Sequence, residues 1–170
     1  MIIDLNALDG SSKSVELEIP ISGIDLGIEY ARLSGPVRLE CEIARAAFQT
    51  RVAGSIASEL DVDCTRCLTS VSAPIAFDFA IEYVDAEHFG SEGEHEIDAK
   101  NLSADSLDKD QLDLNEVVRE QLLLNLPDRV LCTENCKGLC ETCGANRNST
   151  DCDCKQEEID PRWAALQDLK

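Results

Sequence analysis

Between Cys132 and Cys154 the chain reads CTENCKGLCETCGANRNSTDCDC, which puts six of its nine cysteines within 23 residues. The spacing is Cys-x3-Cys-x3-Cys-x2-Cys-x8-Cys-x-Cys. Thiols packed this densely repel one another as thiolates and oxidise readily, so a metal or disulfides must hold them. The centre, Leu139-Cys140-Glu141-Thr142-Cys143-Gly144, has the form of a zinc knuckle, a turn that aims two sulfurs at one point. A glycine after the second cysteine permits the tight backbone such a turn needs.

Zinc takes four thiolate or imidazole ligands in a tetrahedron, usually as two close pairs. Cys140 and Cys143 supply one pair, and Cys152/Cys154 or Cys132/Cys136 the other, with Cys152 and Cys154 ranked ahead of Cys136 and Cys132. Six sulfurs exceed four places, so either two are spare or a second ion is shared with another pair. Cys64-Thr65-Arg66-Cys67 is that other pair, and its inclusion would give eight cysteines for two ions. It also reads as a redox dithiol or as two packed thiols in a turn, but no strand-then-helix context of the thioredoxin kind surrounds it.

Compartment separates metal from disulfide. The start, MIIDLNALDG, lacks the basic flank and apolar core of a secretory leader, and no apolar run approaches the ~20 residues of a membrane span. A cytoplasmic setting follows, where thiols stay reduced and the cluster is a Zn2+ site. Four sulfurs close the coordination sphere, so the zinc is structural; a catalytic ion would keep a place for water. The sequence shows no Ser-His-Asp set, no phosphate-cradling glycine loop and no His-Glu-x-x-His. The expectation is therefore a protein without enzymatic activity or small-molecule substrate.

The chain should fold as α+β, an antiparallel meander or barrel-like β domain packed on a leucine-rich helix, with a C-terminal cysteine-rich zinc knot. Residues 1–84 form the β domain. Val15, Leu17, Ile19 and Ile21 alternate, as do Val37, Leu39, Cys41 and Ile43, then Phe48, Val52 and Ile56, and Ile75, Phe77, Phe79, Ile81 and Tyr83. Gly35-Pro36, Arg45-Ala46-Ala47 and Cys64 to Cys67 mark the corners, and Cys41 reads as a core thiol. With only 4% aromatic residues, the core rests on aliphatic side chains. Residues 85–111 are an acidic loop or linker, whose His88 and His95 read as surface residues. Residues 112–127 form a helix capped by Asp113 and Glu116, apolar at Leu114, Val117, Val118 and Leu122, and stopped by Pro127. Residues 128–170 hold the zinc knot and a terminal helix from about Asp160, with Trp163 as its packing anchor.

The formal charge of −19 concentrates in residues 77–131, which carry 15 acids and 4 bases. Such a chain repels RNA as a whole and suits a basic partner. Between Arg32 and Arg66 the acidic excess disappears, and Arg38, Arg45, Arg51 and Arg66 are the candidate RNA contacts, on a sheet face opposite the core.

Taken together, Cys-Thr-Arg-Cys-Leu at 64–68, LDLNEVVREQLLLNLP at 112–127, CTENCKGLCETCGANRN at 132–148, CDC at 152–154 and IDPRWAAL near the end resemble the YceD family of large-ribosomal-subunit RNA accumulation proteins. The likeness covers nearly the whole chain. Arg147 stands where the family usually has Leu, and Glu141 where Pro is frequent; neither supplies a sulfur. The resemblance implies a non-enzymatic factor for 23S ribosomal RNA accumulation and large-subunit biogenesis, binding precursor rRNA or a basic ribosomal protein. Some members lack the C-terminal cysteines, which implies that the shared function belongs to the β domain and helix. The cysteine surplus leaves one alternative, a redox switch that releases zinc on oxidation.

Overall fold

A computed structural model describes residues 1–8, 10–47, 49–85, 104–107, 110–154 and 162. The chain divides into two units, one of residues 1–62 and 71–128, the other of residues 63–70 and 129–170. Phe48, His88, His95, Trp163 and most of the expected terminal helix lie outside the described residues.

Strands β1 (Ile2–Asp4), β2 (Ser12–Ile19), β3 (Ala31–Leu33), β4 (Val37–Ala46), β5 (Gln49–Asp63), β6 (Ser70–Asp85), β7 (Ala104–Leu107) and β8 (Gln111–Asp113) precede the helix α1 (Leu114–Leu124). The main sheet runs β2-β4-β5-β6-β7, with β3 paired to β5 off this path, while β1 and β8 form a separate two-stranded sheet. β4 is antiparallel to both β2 and β5. The barrel-like closure expected from the meander is not formed. Among the described residues the path is open, because its terminal strands β2 and β7 do not pair with each other. Nor is every pairing antiparallel, since β7 joins β6 in parallel register with Tyr83 opposite Asp105.

Period-two alternation produces the sheet's two faces. On β4, Val37, Leu39, Cys41 and Ile43 are buried, and Arg38, Glu40 and Glu42 between them are exposed. Their inward partners on β5 are Ile56 for Leu39 and Val52 for Ile43, so aliphatic pairs stack across the ladder. Opposite Cys41 stands Gly54. A Cβ there would lie 2.0 Å from the Glu40 carbonyl oxygen and 2.6 Å from Cys41 Cα, so only glycine lets the two backbones approach. Cys41 is 7% exposed, and burial raises its thiol pKa, as befits a core thiol.

Helix α1 begins at Asp113, whose side chain accepts from the Asn115 N–H at 3.0 Å. Leu114, Val117, Val118 and Leu122 are buried, and the helix ends at Asn125, before Pro127. Arg119 donates to the carbonyls of Asp25 and Leu26, which ties α1 to the turn where Gly27 adopts φ +69°. Burial, with Glu120 and Asp105 adding negative charge, pushes the Tyr83 phenol up to about 12.

Candidate metal centres

The second unit contains two short turns with the same geometry. In the first, after β5, the Leu68 N–H donates to the Cys64 carbonyl at 2.9 Å and the Cys64 N–H to the Thr69 carbonyl at 2.9 Å. In the second, the Gly144 N–H donates to the Cys140 carbonyl at 2.8 Å and the Cys140 N–H to the Ala145 carbonyl at 2.8 Å. The residue after the second cysteine is left-handed in both, Leu68 at φ +57° and Gly144 at φ +71°. Cys64–Cys67 is therefore a second knuckle, with a leucine at the position that Gly144 holds without steric cost.

Each knuckle meets a further cysteine pair. Cys64, Cys67, Cys132 and Cys136 form one group of sulfurs, and Cys140, Cys143, Cys152 and Cys154 the other, with all sulfurs of a group within 4.8 Å of one another. The six cysteines of the 132–154 stretch thus do not form one knot. Cys132 and Cys136 join the distant pair at 64 and 67, and no sulfur of either group is spare. In the first group Cys64 and Cys136 are 3.8 Å apart, and Cys67 and Cys132 3.5 Å. A tetrahedron of sulfurs at the zinc–thiolate bond length has an edge of about 3.8 Å. All nine cysteines are free of disulfides. Geometrically, both groups suit a metal ion that prefers soft, tetrahedral ligands.

Protonation follows the same symmetry. Burial disfavours the Cys64 thiolate, yet donors from the Arg66, Cys132 and Cys67 backbone outweigh it and lower the thiol to about 6. The Cys143 and Thr142 backbone, the residues equivalent to Cys67 and Arg66, lowers Cys140 to about 6. The partner thiols move the opposite way. Hydrogen bonding to Cys67 and Cys136 raises Cys132 to about 12, and bonding to Cys143 raises Cys154 to about 12. Four thiolates cannot all ionise side by side without a cation, and a bound divalent ion would supply the missing charge.

Around the first group, Asn148 Nδ2 donates to Cys136 Sγ at 3.3 Å and Cys67 Sγ contacts Thr69 Oγ1 at 3.3 Å. Asn148 Oδ1 accepts from the Lys137 N–H, and Asn146 Nδ2 reaches Thr69 Oγ1 at 3.2 Å. Arg66 donates from Nη1 to the Cys136 carbonyl at 2.9 Å, and its own carbonyl accepts from the Leu139 N–H at 3.1 Å. A Cβ on Gly138, φ +72°, would lie 3.1 Å from that same Arg66 carbonyl oxygen. The roles of Asn146 and Asn148 are not legible from residue type or spacing; their only signal is their place in the motif CTENCKGLCETCGANRN.

The two groups differ in exposure. Cys64, Cys67 and Cys136 are buried and Cys132 half-buried, whereas Cys143 and Cys154 are exposed.

The candidate arginines do not share one environment. Arg38 is exposed, 3.7 Å from Glu18, and Arg51 is exposed on β5. Arg45 occupies an inward position on β4, only 9% exposed, with Nη2 2.7 Å from Asp110 and 3.3 Å from Asp85. Arg66 belongs to the other unit and is engaged by Cys136.

One protein family, described as "Large ribosomal RNA subunit accumulation protein YceD", matches residues 52–170, a span that contains all eight clustered cysteines. A chloroplastic protein of Arabidopsis thaliana, named "Large ribosomal RNA subunit accumulation protein YCED homolog 1", is 27% identical over 156 residues, 79% of this chain and 49% of the relative. Its Zea mays counterpart is 25% identical over 180 residues, 92% of this chain and 60% of the relative. The uncharacterized protein YlbN of Bacillus subtilis is 26% identical over 145 residues, 85% of this chain and 79% of the relative. The chain thus spans about half to three-fifths of the plant relatives. No solved structure matches it. Among the described residues, no helix is long and apolar enough to cross a membrane.

Proposed function

The chain belongs to the YceD family of large ribosomal RNA subunit accumulation proteins, and from that premise we propose that it is a non-enzymatic factor supporting 23S rRNA accumulation, held together by two structural zinc ions. The observation that carries the zinc reading is the sorting of eight cysteines into two closed four-sulfur groups. Cys64, Cys67, Cys132 and Cys136 hold one ion, and Cys140, Cys143, Cys152 and Cys154 the other. When bound, each ion supplies positive charge and a cross-link. Four sulfurs leave no place for a reacting water, so the sites stabilise rather than catalyse. The first site joins residues 72 positions apart, Cys64 and Cys136, and constrains the unfolded chain accordingly. Work on the large-subunit precursor then falls to the β unit and α1, in the compartment where that subunit is assembled.

Metal analysis of the purified chain tests the zinc reading. Two zinc ions per chain are expected, falling to one in Cys67→Ser and one in Cys143→Ser; a metal-free protein with all thiols titratable refutes it. A strain lacking the gene tests the biological reading, because its 23S level should fall relative to 16S and recover with the full chain. An unchanged ratio removes that function. A second reading, zinc release on oxidation, is favoured by the exposed Cys143 and Cys154 alone. Peroxide titration with simultaneous zinc and thiol counts decides it, and retention of both ions eliminates it.

A further inference from the structure

The solvent face of the main sheet carries a charge pattern that folding stability does not explain. On β2 and β4, Glu16 stands directly opposite Glu40, an arrangement that destabilises an antiparallel ladder. Glu42 is one pleat further along β4, and Asp78 is exposed on β6. Between these carboxylates the face of β5 offers only small side chains, Ala53 and Ser55, opposite Glu42 and Glu40. These carboxylates and the small residues between them border a shallow, open depression of about 420 Å3. A second depression of about 420 Å3 lies along the same strand, over Ala57, Ser58 and Glu59, with Pro74 and Ala76 from β6 and with Arg38, which is paired with Glu18, at its border. None of Glu16, Glu40, Glu42 and Asp78 has an ion pair among the described residues, whereas Glu18 is met by Arg38. Among the described residues only the cysteine groups bring three or more potential metal ligands within 4.8 Å, so these four carboxylates do not make a cation site.

We propose that this trough is a docking site for an extended, lysine- or arginine-rich polypeptide segment. The occupant is chosen by charge and by repeat. Glu40 and Glu42 lie two residues apart on one strand face, roughly 6.8 Å. That is also the spacing of alternate side chains on an extended peptide, so a basic residue at every second position meets one carboxylate after another. The floor of Ala53 and Ser55 leaves room for the peptide backbone, and a cation entering the trough relieves the Glu16–Glu40 repulsion. RNA is disfavoured by the same carboxylates. The inference names a partner class for the function proposed above and rests on that reading for its cellular context only.

The test uses the full zinc-loaded chain and a fluorescein-labelled peptide of alternating lysine and serine, 12 residues long. Neutralising these four carboxylates with Glu16→Gln, Glu40→Gln, Glu42→Gln and Asp78→Asn should weaken binding roughly tenfold, a little under twofold for each exposed pair. Neutralising four exposed acids elsewhere, with Glu29→Gln, Asp128→Asn, Glu134→Gln and Asp151→Asn, should leave affinity within about threefold. Ser55→Arg, which places a cation on the floor, should weaken binding on its own. The first quadruple variant removes a repulsive pair, so its melting temperature should equal or exceed the parent's, which separates lost docking from lost folding. Equal weakening by both quadruple variants, no weakening by either, or direct binding of a large-subunit rRNA fragment to the parent that the Glu16/Glu40/Glu42/Asp78 variant alone loses, overturns the proposal. In the deletion strain, failure of the parent chain to restore 23S rRNA refutes the functional reading and leaves the peptide result to stand alone. Restoration by both the parent and the first quadruple variant refutes the trough as the cellular docking site.

Discussion

Gly54→Ala is the sharpest single test of the β unit. The added methyl would lie 2.0 Å from the Glu40 carbonyl oxygen and 2.7 Å from Cys41 Cβ. An ordinary carbon–oxygen contact is longer by more than 1 Å, so β4 and β5 must part by about that amount against a normal spacing of about 4.8 Å. Opening the ladder there costs about two backbone hydrogen bonds at ~1 kcal/mol each, and overpacking adds ~1–3 kcal/mol. Restricting the unfolded chain returns up to ~1 kcal/mol, which leaves a net loss of about 3 kcal/mol. For a unit of this size that lowers the melting temperature by roughly 10 °C or more. Thermal and urea unfolding followed by circular dichroism measure it, with Ser55→Ala on the solvent face as a control expected within ~0.5 kcal/mol. Because the nearest atoms are backbone, Cys41→Ala should not rescue the variant, and its zinc content should stay at the parent value. A melting temperature within about 2 °C of the parent refutes the close approach of the two strands.

Three further outcomes are expected. Asn148→Ala removes the amide donor to Cys136 Sγ and should weaken zinc at the Cys64 group by about 10- to 100-fold, with the other group unchanged in a chelator competition. Asp113→Ala should cost about 1 kcal/mol at neutral pH through loss of the helix cap. Burial opposes ionisation of Asp113, but the Asn115 N–H and the Met1 amine hold its carboxyl below the usual range. Its contribution is therefore present above about pH 4 and disappears as pH falls through the depressed value, so parent and variant should converge in acid. Zinc affinity should rise with pH, because Cys132 and Cys154, pushed up to about 12, keep protons at neutrality that the ion must displace. The slope should steepen below about pH 6, where Cys64 and Cys140 also protonate. A profile that stays flat on both sides of about pH 6 contradicts the assignment of these sulfurs as ligands.

Period-two alternation announced β2, β4, β5 and β6, because one face of each must be apolar to be buried. The cap at Asp113 and the apolar face of α1 were equally legible, since capping and helical periodicity are local. The open path of the sheet, the parallel seating of β7 and the two-stranded β1–β8 pair were not, since pairing partners are chosen by chain course. Arg45 shows the same limit. Its place in the sequence among other arginines suggested a shared solvent face, but strand parity turned it inward, where two carboxylates from distant segments receive it.

The cysteines divide along the same line. A C-x2-C spacing and a following glycine define the Cys140 knuckle within a single turn, so sequence alone determined its geometry and its soft-metal chemistry. The Cys64 knuckle was obscured because Leu68 takes the left-handed conformation usually left to glycine. Which sulfurs come together in one group was decided only by tertiary structure. The contacts that complete the first group span 72 and 65 residues, and a local spacing rule carries no information across such a distance.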